Sequence, residues 1–264
     1  KNKKMLNNLF KKKLFSIVAS FFPLLTSFFH FTIPSNEVFS DVVSIGVLAN
    51  QDNASTDEEF RKINLDCFFD VEKSQVTIND ISKTGTPTEW SQVLNLTFKS
   101  SFDYKGVSYK NIIIGNAVFS SSSYWSKQIN QNFSGTINFT NSVVEIQDRC
   151  FEGLDVDFDF TNATNLSKIG KEAFKNCNNL EKLNLSSVSS TSLVIDDNSF
   201  SETGVKSIVF PKSNNTVKSV TIGKEAFSQC KELQEQIVFT NSITTIDEEA
   251  FKGDLIKKID FEWN

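Results

Sequence analysis

IGKEAF stands at residues 169–174 and again, letter for letter, at 222–227. The copies lie 53 residues apart, and near-copies surround them: IGNAVF at 114–119, IQDRCF at 146–151, IDDNSF at 195–200 and IDEEAF at 246–251. All six begin with Ile and end with Phe, and the Phe residues follow one another at spacings of 32, 23, 26, 27 and 24. A drifting period of about 20–30 residues points to a stack of similar units rather than to a domain built around one site.

Each six-residue segment follows a short β-like stretch. INFTNSVVEIQDRCF (137–151) and IVFTNSITTIDEEAF (237–251) align without a gap. Further apolar-x-apolar triplets lie at 158–160, 183–185, 208–210 and 259–261, the pattern of a strand with one buried face. One unit cannot bury its own apolar face, so Ile137, Phe139 and their equivalents are expected to point into the stack. Phe119, Phe151, Phe174, Phe200, Phe227 and Phe251 are then expected to form an aromatic ladder. The small Ala173, Ala226 and Ala250 leave room for the rings, and the charged residues between Ile and Phe fit a short exposed helical turn.

The unit resembles the BspA-like (Treponema-type) leucine-rich repeat, which ends in I-G-x-x-A-F-x-x-C. IGKEAFKNC (169–177) and IGKEAFSQC (222–230) match that ending, including Cys177 and Cys230, and FPK at 210–212 keeps a Pro typical of the unit. The resemblance covers residues 107–264. Leu of the family pattern is often Phe or Ile here, and insertions at 185–195 and 210–222 should bulge after the strand. The resemblance implies an α/β-type, mostly β solenoid of about six repeats. A parallel sheet would line its concave side, with short helical or irregular turns opposite. It also implies a surface protein that attaches to host matrix or to other cells.

Charge is uneven. Residues 1–40 hold six Lys against one Glu, so a chain of net charge −5 leaves −10 for the remainder. Such an acidic body argues against nucleic acid as partner. The basic KNKKMLNNLFKKK precedes twenty mostly apolar residues (14–33), the order of a secretory signal, with Val38 and Ser40 placed as −3 and −1 residues before Asp41. The alternative is an uncleaved membrane anchor through 14–33. Either outcome puts residues 41–264 outside the cytoplasm, secreted or at the cell surface.

The chemistry of catalysis is thin. The one His, His30, lies in the leader, so a Ser or Cys nucleophile in the body has no His partner. No CxxC occurs, and neither a zinc site nor any cofactor is expected. Cys177 and Cys230 hold one place in units two apart, too distant to bridge at about 4.8 Å per strand, so they read as buried, unpaired ladder residues. Eight N-x-S/T motifs, Asn95, Asn138 and Asn184 among them, suit the Asn- and Ser-rich composition and mark no site.

Residues 41–106 show no clear repeat and are expected to cap the first edge of the stack. STDEEFRKI (55–63), with a capping box from Thr56 to Glu59, suggests a short helix; VTINDI (76–81) and VLNLTF (93–98) suggest strands; FDYKGVSY (102–109) suggests a hairpin turning at Lys105-Gly106. At the other end Trp263 is placed to close the stack, unless further repeats follow. The period of two leaves Asn138, Thr140, Asp159, Thr161, Lys182, Asn184, Ser186, Val209, Gln236, Val238, Thr240 and Asp260 on the open, concave face. These are the candidate binding residues of a non-catalytic, adhesion-type protein with a protein or extracellular-matrix ligand. A structural module of the cell envelope is the alternative.

Overall fold

The computed structural model describes residues 38–48, 60–81, 96–98, 100–121, 135–213 and 216–262. They fall within one compact unit, 35–264. The apolar run 14–33, Thr56 to Glu59 and Trp263 lie outside the described residues.

The IxxxxF units stack into two parallel ladders. The first is a nine-stranded sheet. Its parallel part runs through β3 (Gln75–Ile81), β7 (Asn111–Ile114), β9 (Val143–Ile146), β11 (Lys168–Ile169), β13 (Ser192–Ile195), β15 (Ser219–Ile222) and β17 (Ile243–Ile246). Their register sets one column of isoleucines: Ile78, Ile114, Ile146, Ile169, Ile195, Ile222 and Ile246. All but the last are buried. The antiparallel pair β1 (Val38–Leu48) and β2 (Phe60–Asp70) completes this sheet beside β3. Val38 and Ser40 open β1, opposite Asp70 and Phe68.

The second ladder holds the apolar-x-apolar strands in three runs. They are β4 (Leu96–Thr97), β8 (Thr136–Asn138) and β10 (Asp157–Asp159); then β12 (Lys182–Asn184) and β14 (Ser207–Val209); then β16 (Gln236–Thr240) and β18 (Lys258–Glu262). Parallel stacking therefore begins before residue 107, with β3 and β4. The hairpin of β5 (Phe102–Tyr104) and β6 (Val107–Tyr109) turns at Lys105 and Gly106, both with positive φ, as a two-residue type I′ turn requires.

No α-helix occurs among the described residues. Phe60–Ile63, read in the sequence as the end of a short helix, instead open β2. Period-two alternation decides it: Leu65, Cys67 and Phe69 are buried and Phe68 is exposed. The segments between Ile and Phe are turns, and the backbone shows why. In every unit the residue two before Phe is left-handed, with φ of 54–58° at Ala117, Arg149, Glu172, Asn198, Glu225 and Glu249. From Gly153 to Gly253 the residue two after Phe is left-handed as well. A left-handed residue every fourth position breaks a helix and frees N–H groups to bond across to the next unit. Arg149 and Phe151 donate to the Lys171 and Ala173 carbonyls at 2.9 and 2.8 Å, and Asn198 and Phe200 to those of Lys224 and Ala226 at 3.0 and 2.8 Å.

These turns also explain why IGKEAF is written in alternate units. A Cβ on Gly170 would stand 2.6 Å from Asp148 Oδ1 and 2.7 Å from the Gln147 carbonyl carbon; one on Gly223 would stand 2.9 Å from backbone atoms of Asp196 and Asp197. The close approach lets the neighbouring unit's carboxylate take the next N–H: Lys171 donates to Asp148 at 2.9 Å and Lys224 to Asp197 at 3.0 Å. Where the Gly is replaced by Asp196 or Asp247, that Asp takes the following N–H itself, from Asp197 or Glu248, each at 2.9 Å. From Ile169 to Ile246 the same donor is satisfied from the neighbour in one unit and locally in the next, whereas in the Ile146 unit, with Gln147 in place of Gly, the Asp148 N–H still donates to the neighbour, to Asn116 Oδ1 at 3.0 Å.

One core fills the space between the ladders. Phe119, Phe151, Phe174, Phe200, Phe227 and Phe251 stack face to face, with centroids 5.3, 5.2, 5.1, 5.2 and 5.2 Å apart and planes within 18°. That spacing is close to the strand repeat, so ring stacking and strand pairing are satisfied together. A second file of Phe98, Phe139, Phe160, Phe210, Phe239 and Phe261 lies beneath the other ladder, with Leu185 in the place between Phe160 and Phe210. All four cysteines are buried, and no disulfide joins any of them. Cys177 Sγ donates to the Phe151 carbonyl and Cys230 Sγ to that of Phe200, each at 3.1 Å. The insertion 185–195 does not bulge away. Val188 is buried, and the Ser187, Ser189 and Ser190 hydroxyls donate to the Phe160, Thr164 and Leu166 carbonyls of the preceding unit at 3.2, 3.1 and 2.6 Å.

Candidate functional site

The outward row of the second ladder is built by the strand alternation itself. Ile137, Phe139, Phe158, Phe160, Leu183, Leu185, Ile208, Phe210, Ile237 and Phe239 point inward and are buried. The residue between each pair is therefore turned outward. Register aligns Thr97 with Asn138 and Asn138 with Asp159 in the first run, Asn184 with Val209 in the second, and Val238 with Asp260 in the third. Lys182, Asn184, Ser186, Val209, Gln236 and Thr161 are exposed; Asn138, Thr140, Asp159, Val238 and Asp260 are half-buried.

Thr240 is the exception. It is buried at 7% exposure, and its hydroxyl donates to the Pro211 carbonyl at 2.7 Å. The longer β16 carries it past the open face and into the turn, where it also meets Ser242 Oγ at 2.9 Å. Thr97, absent from the sequence expectation, joins the row: Asn138 Nδ2 donates to its Oγ1 at 3.1 Å. Leu96-x-Phe98 carries the same apolar-x-Phe signal as the later strands.

Several row residues are held by local bonds. Asp159 Oδ1 accepts the Thr161 N–H at 2.8 Å, and Asn184 Oδ1 accepts the Ser186 N–H and hydroxyl at 3.1 and 2.7 Å. Asp260 takes a hydrogen bond from Gln236 Nε2 and an ion pair from Lys258 at 2.7 Å. Charges are mixed along the row. Beside it Lys206 pairs with Glu181 at 2.7 Å, which lowers the Glu181 carboxyl and raises the Lys206 ammonium. The face carries donors, acceptors and two valines.

The ladder residues supply no reactive group. Burial pushes the Cys177 thiol far up and the Cys230 thiol up to about 12, so both stay protonated and neutral. Among the described residues no group of three or more His, Cys, Asp or Glu side chains is placed to hold a metal ion, and no helix is long and apolar enough to cross a membrane.

A family model described as "BspA type Leucine rich repeat region" matches residues 100–220 and 194–264, in six copies. The chain belongs to the BspA-type leucine-rich repeat family. The match begins at residue 100, close to where β4 enters the second ladder. No curated protein matches this BspA-type chain by sequence. Among solved structures it is similar to a leucine-rich cell surface protein from Faecalibacterium prausnitzii, at 14% identity and a TM-score of 0.22, over 81% of this chain and 96% of that one. A likeness that distant carries no weight for the function.

Proposed function

We propose that this BspA-type chain is an exported, surface-displayed protein that binds a protein or extracellular-matrix partner through the outward row of its second ladder, without catalysis. The observation that carries the reading is the row itself, which runs from Thr97 to Asp260 along the stack. An extended face of mixed polar groups around Val209 and Val238 suits a broad macromolecular contact better than a small substrate. The basic-then-apolar leader supports export, and the family supports an interaction role. In this proposal the N-terminal cap that residues 41–106 provide is the β1–β2 pair, which lies beside β3 and leaves no parallel edge of the first ladder open there.

The test is binding of the purified chain to a panel of immobilised extracellular-matrix proteins and cell surfaces, with Asn184→Arg and Val209→Arg on the row and Lys218→Ala away from it. Binding by the parent, weakened about tenfold or more by the row variants at unchanged melting temperature, supports the proposal. Row and control variants behaving alike would sink it.

A further inference from the structure

The place three residues after the ladder Phe, from Phe151 to Phe251, is a row of its own: Leu154, Cys177, Thr203, Cys230 and Asp254. It is organised around the Phe carbonyls. The Phe151 carbonyl accepts the Leu154 N–H at 3.0 Å and the Cys177 thiol of the next unit at 3.1 Å. The Phe200 carbonyl accepts the Thr203 hydroxyl at 2.9 Å and the next unit's Cys230 thiol at 3.1 Å. Cys177, Thr203 and Cys230 thus each donate to a buried carbonyl.

Asp254 takes the same place with no proton to give when ionised. Its Oδ1 accepts the Cys230 N–H at 2.8 Å, while its Oδ2 is buried with no partner. The Phe227 carbonyl holds for Asp254 the place that the Phe151 and Phe200 carbonyls hold for the two thiols; it receives the Cys230 N–H at 3.4 Å, as the Phe174 carbonyl receives the Cys177 N–H at 3.1 Å, and takes no other hydrogen bond among the described residues. A buried carboxylate oxygen without a donor and a carbonyl without its second donor are complementary once a proton is added.

We propose that Asp254 is a pH-sensitive latch on the 246–254 turn: protonated, its Oδ2 donates to the Phe227 carbonyl and completes the donor row, and ionised, it leaves that turn easier to open. Charges around it leave this choice to the proton. From the preceding turn the Cys230 thiol faces it and stays neutral. Lys252 on its own turn is held by Glu249 at 3.0 Å, and Lys257 by Glu235 at 3.6 Å; no Lys or Arg pairs with Asp254 among the described residues. Burial pushes the Asp254 carboxyl from 3.8 up to about 7, which sets the range. Because the folded value lies above the unfolded one, the stabilisation is full below about 3.8 and is lost as pH rises through about 7.

Hydrogen exchange of the full chain, read by mass spectrometry and corrected for intrinsic rates, tests this. Between about pH 5.5 and about pH 8.5, protection of peptides covering 246–254 should fall about tenfold or more, while peptides covering 165–200 hold theirs. Asp254→Asn keeps a donor at every pH, so its 246–254 protection should be high and flat. Asp254→Leu, which borrows the residue found at Leu154, should also be flat. A flat profile in the parent, or a parent-like slope in both variants, overturns the proposal.

Discussion

Replacing Gly170 by Ala adds one methyl group where two units touch. The new Cβ would lie 2.6 Å from Asp148 Oδ1, 2.7 Å from the Gln147 carbonyl carbon and 2.8 Å from the Asp148 nitrogen. The carboxylate can rotate away, but the two backbone atoms belong to the neighbouring turn and cannot yield without moving it. Rotation also gives up the 2.9 Å bond from the Lys171 N–H. Overpacking of a tight contact costs about 1–3 kcal/mol and a lost hydrogen bond about 1 kcal/mol, so the sum is about 2–4 kcal/mol. Urea denaturation followed by circular dichroism measures it. Gly106→Ala is the control: its Cβ meets nothing within 4 Å and φ is +78°, so only backbone strain of about 1 kcal/mol is expected. Asp148→Ala added to Gly170→Ala should recover little, because the backbone contacts remain. If Gly170→Ala unfolded at the same urea concentration as the parent, the account of the alternating units would be wrong.

Other outcomes follow from the same structure. Phe174→Ala removes a fully buried ring stacked on Phe151 and Phe200 and should cost about 3–5 kcal/mol, while Asn184→Ala on the open row should leave the urea midpoint nearly unchanged. Gly204→Ala would place a Cβ 1.9 Å from the Asn178 carbonyl oxygen, and its loss of stability should be at least as large as that of Gly170→Ala. The four thiols should resist a maleimide reagent in the native protein and all react in urea; rapid native labelling of Cys177 or Cys230 would contradict their burial.

The phenylalanine ladder was legible because Ile, Phe and the small residue before Phe recur at fixed offsets. The ladder cysteines were legible for the same reason. Of the first sheet VTINDI showed β3, but strands such as Lys168–Ile169 were not legible, because they are two residues long and gain their β character from neighbours in the stack, not from their own letters. The turns misled for a related reason. Lys, Glu and Ala are good helix formers, yet Glu172 and Glu225 are held left-handed by bonds to the adjacent unit, so tertiary pairing overrides propensity. Phe60–Ile63 erred likewise, since their pairing with Ile45–Leu48 is non-local. On the open row, alternation placed most of the candidates and failed at Thr240, where strand length and not period decides the side chain's fate.

Display at the cell surface is the claim on which the rest of the functional reading depends. Protease shaving of intact cells, with released fragments identified by mass spectrometry, tests it most directly. Peptides from 135–262 should appear in the supernatant while a cytoplasmic marker stays inside. Release of those peptides only after lysis would contradict the account and assign the protein to an internal or envelope-assembly role.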